Sequence, residues 1–207
     1  MKRAAFGIRM HSGWGILIAV GEGMDVIDRR RIVVMTDHGP RSNQPFHHAS
    51  EIGLLEAEKY LSHYRVESEH LASEVIGTAM RQVKALGYSI AIAALLEASG
   101  KTLPALPQIL ASHPLIHTAE GELFREVVSS ACKSLRIPVT RYRERSLQEA
   151  AKAALGASAE TATLGLKSAG RKLGPPWTAD HKAAALAAYV ALEEIMAKKT
   201  RVSARGR

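Results

Sequence analysis

Residues 4–20 read AAFGIRMHSGWGILIAV, and this stretch decides the fold. Two apolar runs flank a turn of small residues. The second run is unbroken and partly β-branched, which is typical of a strand buried on both faces. The only ionisable or hydroxyl side chains of the stretch lie at the turn, namely Arg9, His11 and Ser12. The pattern predicts a hairpin of two core strands with its polar groups gathered at one end.

The composition is that of an ordinary globular protein. Of the 207 residues, 46% are hydrophobic and 23% are charged. A chain of this length can bury a hydrophobic core that is stable without disulfide bonds or structural metal ions. The single cysteine, Cys132, excludes an internal disulfide. No apolar run approaches the roughly 20 residues that span a membrane, and from the pattern of the opening residues we expect no signal peptide. We therefore expect a cytoplasmic protein with no membrane partner.

Most of the net charge of +8 lies at the carboxyl terminus. Five cations follow Ala197 and no acid follows Glu194, which leaves the preceding chain at only +3. We expect residues 1–197 to form a single domain and residues 198–207 to be a basic, disordered tail.

The order of predicted elements indicates an α/β protein. A third strand follows at residues 24–35, and a loop at residues 36–50 leads to a helix that Ser50 caps. Further elements are a helical stretch at residues 51–86, a strand at 88–96, a helix at 119–135, a strand at 137–142, and alanine-rich helices near 147–155, 160–172 and 178–198. Three strands joined by short turns, followed by alternating helices and strands, predict a mixed sheet covered by helices.

Four segments stand out within this order: FGIR at residues 6–9, GWGI at 13–16, AALLE at 93–97 and DHKAAALAA at 180–188. With the element order, they resemble the ribonuclease H-like superfamily, most closely its Holliday-junction resolvase branch. The resemblance covers most of residues 4–197. It implies a mixed five-stranded sheet, with the first three strands antiparallel, flanked by helices.

The resemblance also implies where catalytic acids would lie. Nucleases of this superfamily hold two divalent cations with three or four carboxylates, from the first strand, the fourth strand and the last helix. The first-strand position here is Arg9, the fourth-strand position is Glu97, and Asp180 or His181 occupies one helix position. The next helix position is Ala183 or Ala184.

Arg9 makes two-metal hydrolysis the less favoured interpretation, because a guanidinium cannot ligate a cation. Our leading hypothesis is a non-catalytic or altered-activity relative that binds nucleic acid or a protein partner and needs no cofactor. The alternative is a Mg²⁺- or Mn²⁺-dependent nuclease that uses Glu97, Asp180 and His181. A nucleotide-handling protein of the related actin-like fold is disfavoured because the glycine-rich phosphate turns are absent.

Two interpretations of Arg9 itself remain open. It forms a buried ion pair with Glu97, or it receives a phosphate or carboxylate together with His11 and Ser12.

A second basic segment lies near residue 141. Arg141, Arg143 and Arg145 alternate along a predicted extended segment and would share one face. With Arg9, they are the candidate nucleic-acid contacts, the alternative being a solvated edge.

The histidines suggest no metal site by spacing. His38, His47 and His48 lie in a predicted loop and match no ligand motif. His113 and His117 flank Pro114, which argues against their sharing a clean helix face. The sequence therefore assigns no metal ligands.

Overall fold

The computed structural model describes residues 1–35, 42–98 and 102–205, and only the backbone for residues 170–172 and 199–205. His38, considered above as a ligand, lies outside the described residues. The strands are β1 (Lys2–Met10), β2 (Trp14–Gly21), β3 (Val26–Val33), β4 (Tyr88–Glu97) and β5 (Val139–Arg143). The helices are α1 (Pro45–Ser50), α2 (Leu54–Ala85), α3 (Leu106–Leu110), α4 (His113–Ser134), α5 (Leu147–Leu155), α6 (Ser158–Leu173) and α7 (Ala179–Arg205).

The five strands form one mixed sheet in the order β3-β2-β1-β4-β5. β1 pairs antiparallel with β2, β2 pairs antiparallel with β3, and β4 joins β1 and β5 in parallel. The opening hairpin closes where the His11 amide donates to the Trp14 carbonyl at 2.7 Å, and Gly13 has a φ of 80° that favours glycine. This topology confirms the predicted α/β fold with a mixed five-stranded sheet whose first three strands are antiparallel.

Each face of the sheet carries its own core. On one face α2 and α4 pack over residues such as Phe6, Ile8 and Leu95. On the other, α7 packs with α5 and α6 over residues such as Ile18 and Leu96. The apolar runs of β1, β2 and β4 are buried on both faces because helices cover both sides.

The alanines of α7 allow it to lie unusually close to β1. A Cβ added at Gly7 would be only 1.8 Å from the Ala184 carbonyl oxygen, so only glycine fits there. Ala184, Ala187 and Ala188 are fully buried along this contact. The close approach fixes the position of the first turn of α7 relative to the end of β1.

Several element boundaries differ from the sequence prediction. Helix α1 forms within the predicted loop, and Ser50 ends α1 instead of capping the next helix, whose N-cap is Gly53. Helix α7 continues to Arg205, beyond the predicted end near Lys198.

Helix α4 also begins earlier than predicted. It starts at His113, with Pro114 in its first turn, where a proline is tolerated because that amide has no helical partner. His113 and His117 therefore lie one turn apart on the same face, contrary to prediction.

No described helix is both long enough and apolar enough to span a bilayer.

Candidate functional site

The polar end of the β1–β2 hairpin lies at the carboxyl end of β1, next to that of the parallel strand β4. Arg9 is in register with Leu96 on β4. In open α/β sheets, ligands bind outside the carboxyl ends of the strands. This edge is therefore the first candidate for a functional site.

The guanidinium of Arg9 is surrounded by polar groups, and we call Arg9, His11, Glu144 and Asp180 the Arg9 cluster. Arg9 Nε and Nη2 each donate to one carboxylate oxygen of Glu144, both at 3.0 Å. Arg9 Nη1 donates to Asp180 Oδ1 at 2.8 Å. Two carboxylates, one from the turn after β5 and one from α7, thus hold this cation in a nearly fixed position.

His11 extends the cluster toward β3. Its Nε2 lies 2.9 Å from Asp180 Oδ2 and 3.0 Å from Arg9 Nη1. Its ring stacks on that of Trp14 with centroids 4.3 Å apart, and the Arg31 guanidinium carbon lies 4.3 Å from the Trp14 ring centroid. The edge therefore carries an aromatic surface with an exposed cation against it.

The N-terminus of α7 places Asp180 in this cluster. Thr178 precedes the helix, and its backbone amide and hydroxyl lie 3.3 and 2.8 Å from His181 Nδ1. The His181 side chain thus reaches back to the amide of the residue before the helix, which is one half of a capping box, with histidine in place of the usual glutamate. Asp180 lies in the first turn, where the helix dipole stabilises a carboxylate.

His181, a candidate catalytic residue by sequence, is engaged in this cap. Its side chain is buried against Trp177, with ring centroids 5.6 Å apart. Burial and the nearby positive charge of Arg29 lower the pKa of His181, although Asp180 acts to raise it. The neutral imidazole is therefore favoured, and its Nδ1 accepts the hydrogen bonds from Thr178.

Glu97 lies on the opposite face of the sheet from Arg9. Arg9 is in register with Leu96, which belongs to the α7-side core, and successive strand residues point to opposite faces. Glu97 instead lies near Arg141 and Arg143, at 3.7 and 3.9 Å. The ion pair between Arg9 and Glu97, one of the two interpretations left open by the sequence, is therefore wrong, and Arg9 pairs instead with the carboxylates of Glu144 and Asp180.

Arg141 binds two carboxylates of helix α4. Its guanidinium donates to Glu122 at 2.9 Å and to Glu126 at 2.8 Å. Burial acts to raise the pKa of Glu122, but hydrogen bonds from Arg141 and Arg125 outweigh it and leave that pKa below its usual value. Arg141 thus stabilises the contact between β5 and α4, and its charge is largely neutralised.

Arg143 and Arg145 are more available than Arg141. The Arg143 side chain is 47% exposed, and its ion pair with Glu97 is long at 3.9 Å. Arg145 is exposed in the short turn Glu144–Ser146 after β5 ends. The predicted extended segment therefore stops at Arg143, and only Arg141 and Arg143 share a face of β5.

These carboxylates do not fit a two-cation centre. Asp180 and Glu144 both bind the Arg9 guanidinium, whose fixed positive charge would repel a neighbouring cation. Glu97 lies across the sheet with its own arginine neighbours. The donor set that the resemblance implies is thus divided between two faces of the sheet.

Sequence reasoning did not assign Glu144, Trp14 or Arg31 to the site. Glu144 is one acid among the arginines of residues 141–145, and nothing in its spacing indicates a partner 135 positions earlier. Trp14 and Arg31 meet only because β2 and β3 pair in the observed register. The only sequence feature that could have indicated this contact is a tryptophan and an arginine on neighbouring predicted strands.

No protein-family model matches the chain, and no curated protein matches it. Two solved structures of RuvC from Thermus thermophilus are similar in backbone. One, in complex with a Holliday junction substrate, is 12% identical, with a TM-score of 0.49 over 94% of this chain and 95% of that chain. The other is 14% identical, with a TM-score of 0.48 over 96% of this chain and 97% of that chain.

Proposed function

We propose that this chain binds nucleic acid along the carboxyl edge of its sheet and does not hydrolyse it there. The observation that carries the proposal is the Arg9 cluster. A guanidinium held by Glu144 and Asp180 occupies the place where a ribonuclease H-like nuclease would need its first acid. Catalysis by two cations at this position would require displacing a cation that never loses its charge.

Exposed cations along this edge support nucleic acid as the ligand. Arg31 lies over Trp14 at one end of the edge, and Arg143 and Arg145 are exposed at the other. Cationic side chains neutralise phosphates whatever the base sequence, so these arginines suit sequence-independent binding, and the Trp14 ring positions Arg31. The net charge of +8 favours association with a polyanion over the whole molecule.

The binding and cleavage experiment described below also distinguishes two other functions. A Mg²⁺- or Mn²⁺-dependent nuclease would use Glu97, Asp180 and His181, although these residues are engaged with Arg143, Arg9 and Thr178. A protein partner would use the same edge without affinity for nucleic acid.

The test combines binding and cleavage on the full chain. Fluorescence anisotropy with labelled four-way junction DNA, duplex DNA and single-stranded RNA, at about 50 mM salt, should show weak binding with little sequence preference. The same substrates incubated with Mg²⁺ or Mn²⁺ should stay intact on denaturing gels.

Variants separate the alternatives. Cleavage that is lost in both Glu97→Gln and Asp180→Asn would establish the nuclease and overturn the proposal. The absence of binding to all three nucleic acids at low salt would also overturn it and would favour a protein partner.

A further inference from the structure

Three histidines from two helices converge outside the Arg9 cluster. His47 lies on α1, while His113 and His117 lie one turn apart on α4. Their ring centroids are 5.3 Å apart for His47 and His113, 4.7 Å for His47 and His117, and 4.5 Å for His113 and His117. One ring nitrogen from each lies within 4.8 Å of the other two.

A buried carboxylate orients one of these rings. Glu120 is only 2% exposed, and its Oε1 lies 2.7 Å from His47 Nδ1 and accepts the His47 backbone amide at 3.2 Å. A carboxylate accepts hydrogen bonds, so His47 Nδ1 is the nitrogen directed at Glu120 and Nε2 is the nitrogen left to coordinate a metal ion. A carboxylate bound to one imidazole nitrogen is the arrangement that prepares the other nitrogen for a metal ion.

The geometry is close to that of a zinc site. Nitrogens around a tetrahedral zinc ion, each about 2.1 Å from it, are about 3.4 Å apart. The imidazole nitrogens lie within 4.8 Å of one another, so they would have to approach by at most about 1.4 Å, and two of the three rings are exposed. Imidazole suits zinc, whereas Mg²⁺ and Ca²⁺ prefer oxygen ligands.

We propose that His47, His113 and His117 bind a zinc ion, with Glu120 as the carboxylate that positions His47. Three protein ligands leave a fourth position for water. Because α1 has only six residues, the ion would attach this short helix to α4. The site shares no residue with the Arg9 cluster, so this proposal is independent of nucleic-acid binding.

The experiment measures metal binding directly. The purified full chain is treated with a chelator, dialysed, and titrated with ZnCl₂ by isothermal calorimetry, and Co²⁺ is used as a spectroscopic probe. We expect one zinc ion to bind per chain. With Co²⁺ we expect the intense visible absorption bands that indicate tetrahedral coordination. The melting temperature of the chain should rise with zinc concentration because the ion binds the folded chain.

Exposed histidines elsewhere provide matched controls. His113→Ala and His117→Ala should each weaken zinc binding at least about tenfold, and Glu120→Gln should weaken it by about 10- to 100-fold. His63→Ala and His70→Ala, at side chains that are both 75% exposed on α2, should leave the affinity unchanged.

Because His113 and His117 are exposed, their variants should fold, and circular dichroism checks this. The proposal is overturned if the wild-type chain takes up no zinc, or if folded His113→Ala and His117→Ala bind zinc as tightly as the wild type.

Discussion

Arg9 illustrates how one side chain changes what a site can do. In the first strand of this fold an acid would combine with Asp180 to attract cations, whereas a guanidinium neutralises the same carboxylate. Its contacts to Glu144 and Asp180 also link β1 to the turn after β5 and to α7. The residue therefore has a structural role whatever the ligand of the edge is.

Replacing Arg9 should expose this role. We expect Arg9→Leu to lower the free energy of unfolding by about 1–2 kcal/mol, because the partly buried Asp180 carboxylate loses its charged donor, while the exposed Glu144 adds little. In a double-mutant cycle with Asp180→Asn, the two changes should be less than additive, with a coupling of about 1 kcal/mol. Urea unfolding at neutral pH measures both quantities.

Arg143→Leu is the matched control for that cycle. Its ion pair with Glu97 is long and its side chain is half exposed, so its effect should stay within about 0.5 kcal/mol. If Arg9→Leu lowers the free energy of unfolding no more than this control does, the Arg9 cluster does not stabilise the fold.

Among the elements, the start of α7 does most to organise the site. The close approach at Gly7 sets the depth of the helix on β1, and the cap formed by Thr178 and His181 fixes where the helix begins. Asp180 reaches Arg9 as a consequence of both. Because the cap depends on a neutral imidazole, this element should respond to pH.

The sign of that response follows from the lowered pKa of His181. The folded chain binds a proton at His181 less readily than the unfolded chain, for which the usual value is 6.5, so stability falls as the pH drops below 6.5. Glutamine accepts the same hydrogen bonds at any pH. From about pH 7.5 to about pH 5.5, the wild-type chain should lose stability relative to His181→Gln, because only the histidine can take up a proton in this range.

Denaturant unfolding of both proteins across this range provides the measurement, and taking the difference removes the titration of other groups. A difference that is constant with pH would show that protonation of His181 does not affect the cap.

The whole molecule is basic, but its cations are not equivalent. Arg141 is neutralised by acids of α4, whereas Arg143 and Arg145 are exposed beside it. The sequence alone treated the three as equal contacts. In the structure only Arg143 and Arg145 are exposed, so we expect these two, and not Arg141, to contribute to the proposed binding of a polyanion.

This distinction predicts a salt dependence. Each phosphate contact on duplex DNA contributes about 0.9 to the slope of log K against log salt, so Arg143→Gln with Arg145→Gln should flatten the slope by about 1.8. Fluorescence anisotropy between about 50 and about 200 mM salt measures this slope.

Arg65→Gln with Lys84→Gln removes the same charge from exposed positions of α2 and should change the slope much less. Equal effects of the two pairs would mean that binding follows net charge and not this edge.

The sequence by itself determined the α/β class, the order of the strands along the chain and the presence of a basic residue at the end of the first strand. These features follow from local patterns: β-branched apolar runs, small-residue turns and an alanine-rich final helix are visible without knowledge of packing. Only the tertiary structure decided which residues contact Arg9 and which contact His47. Arg9 binds Glu144 and Asp180 instead of Glu97 because strand register places Glu97 on the other face, and His47 reaches His117 because α1 packs on α4. Contacts between residues distant in sequence depend on register and on helix docking, and spacing along the chain encodes neither of them.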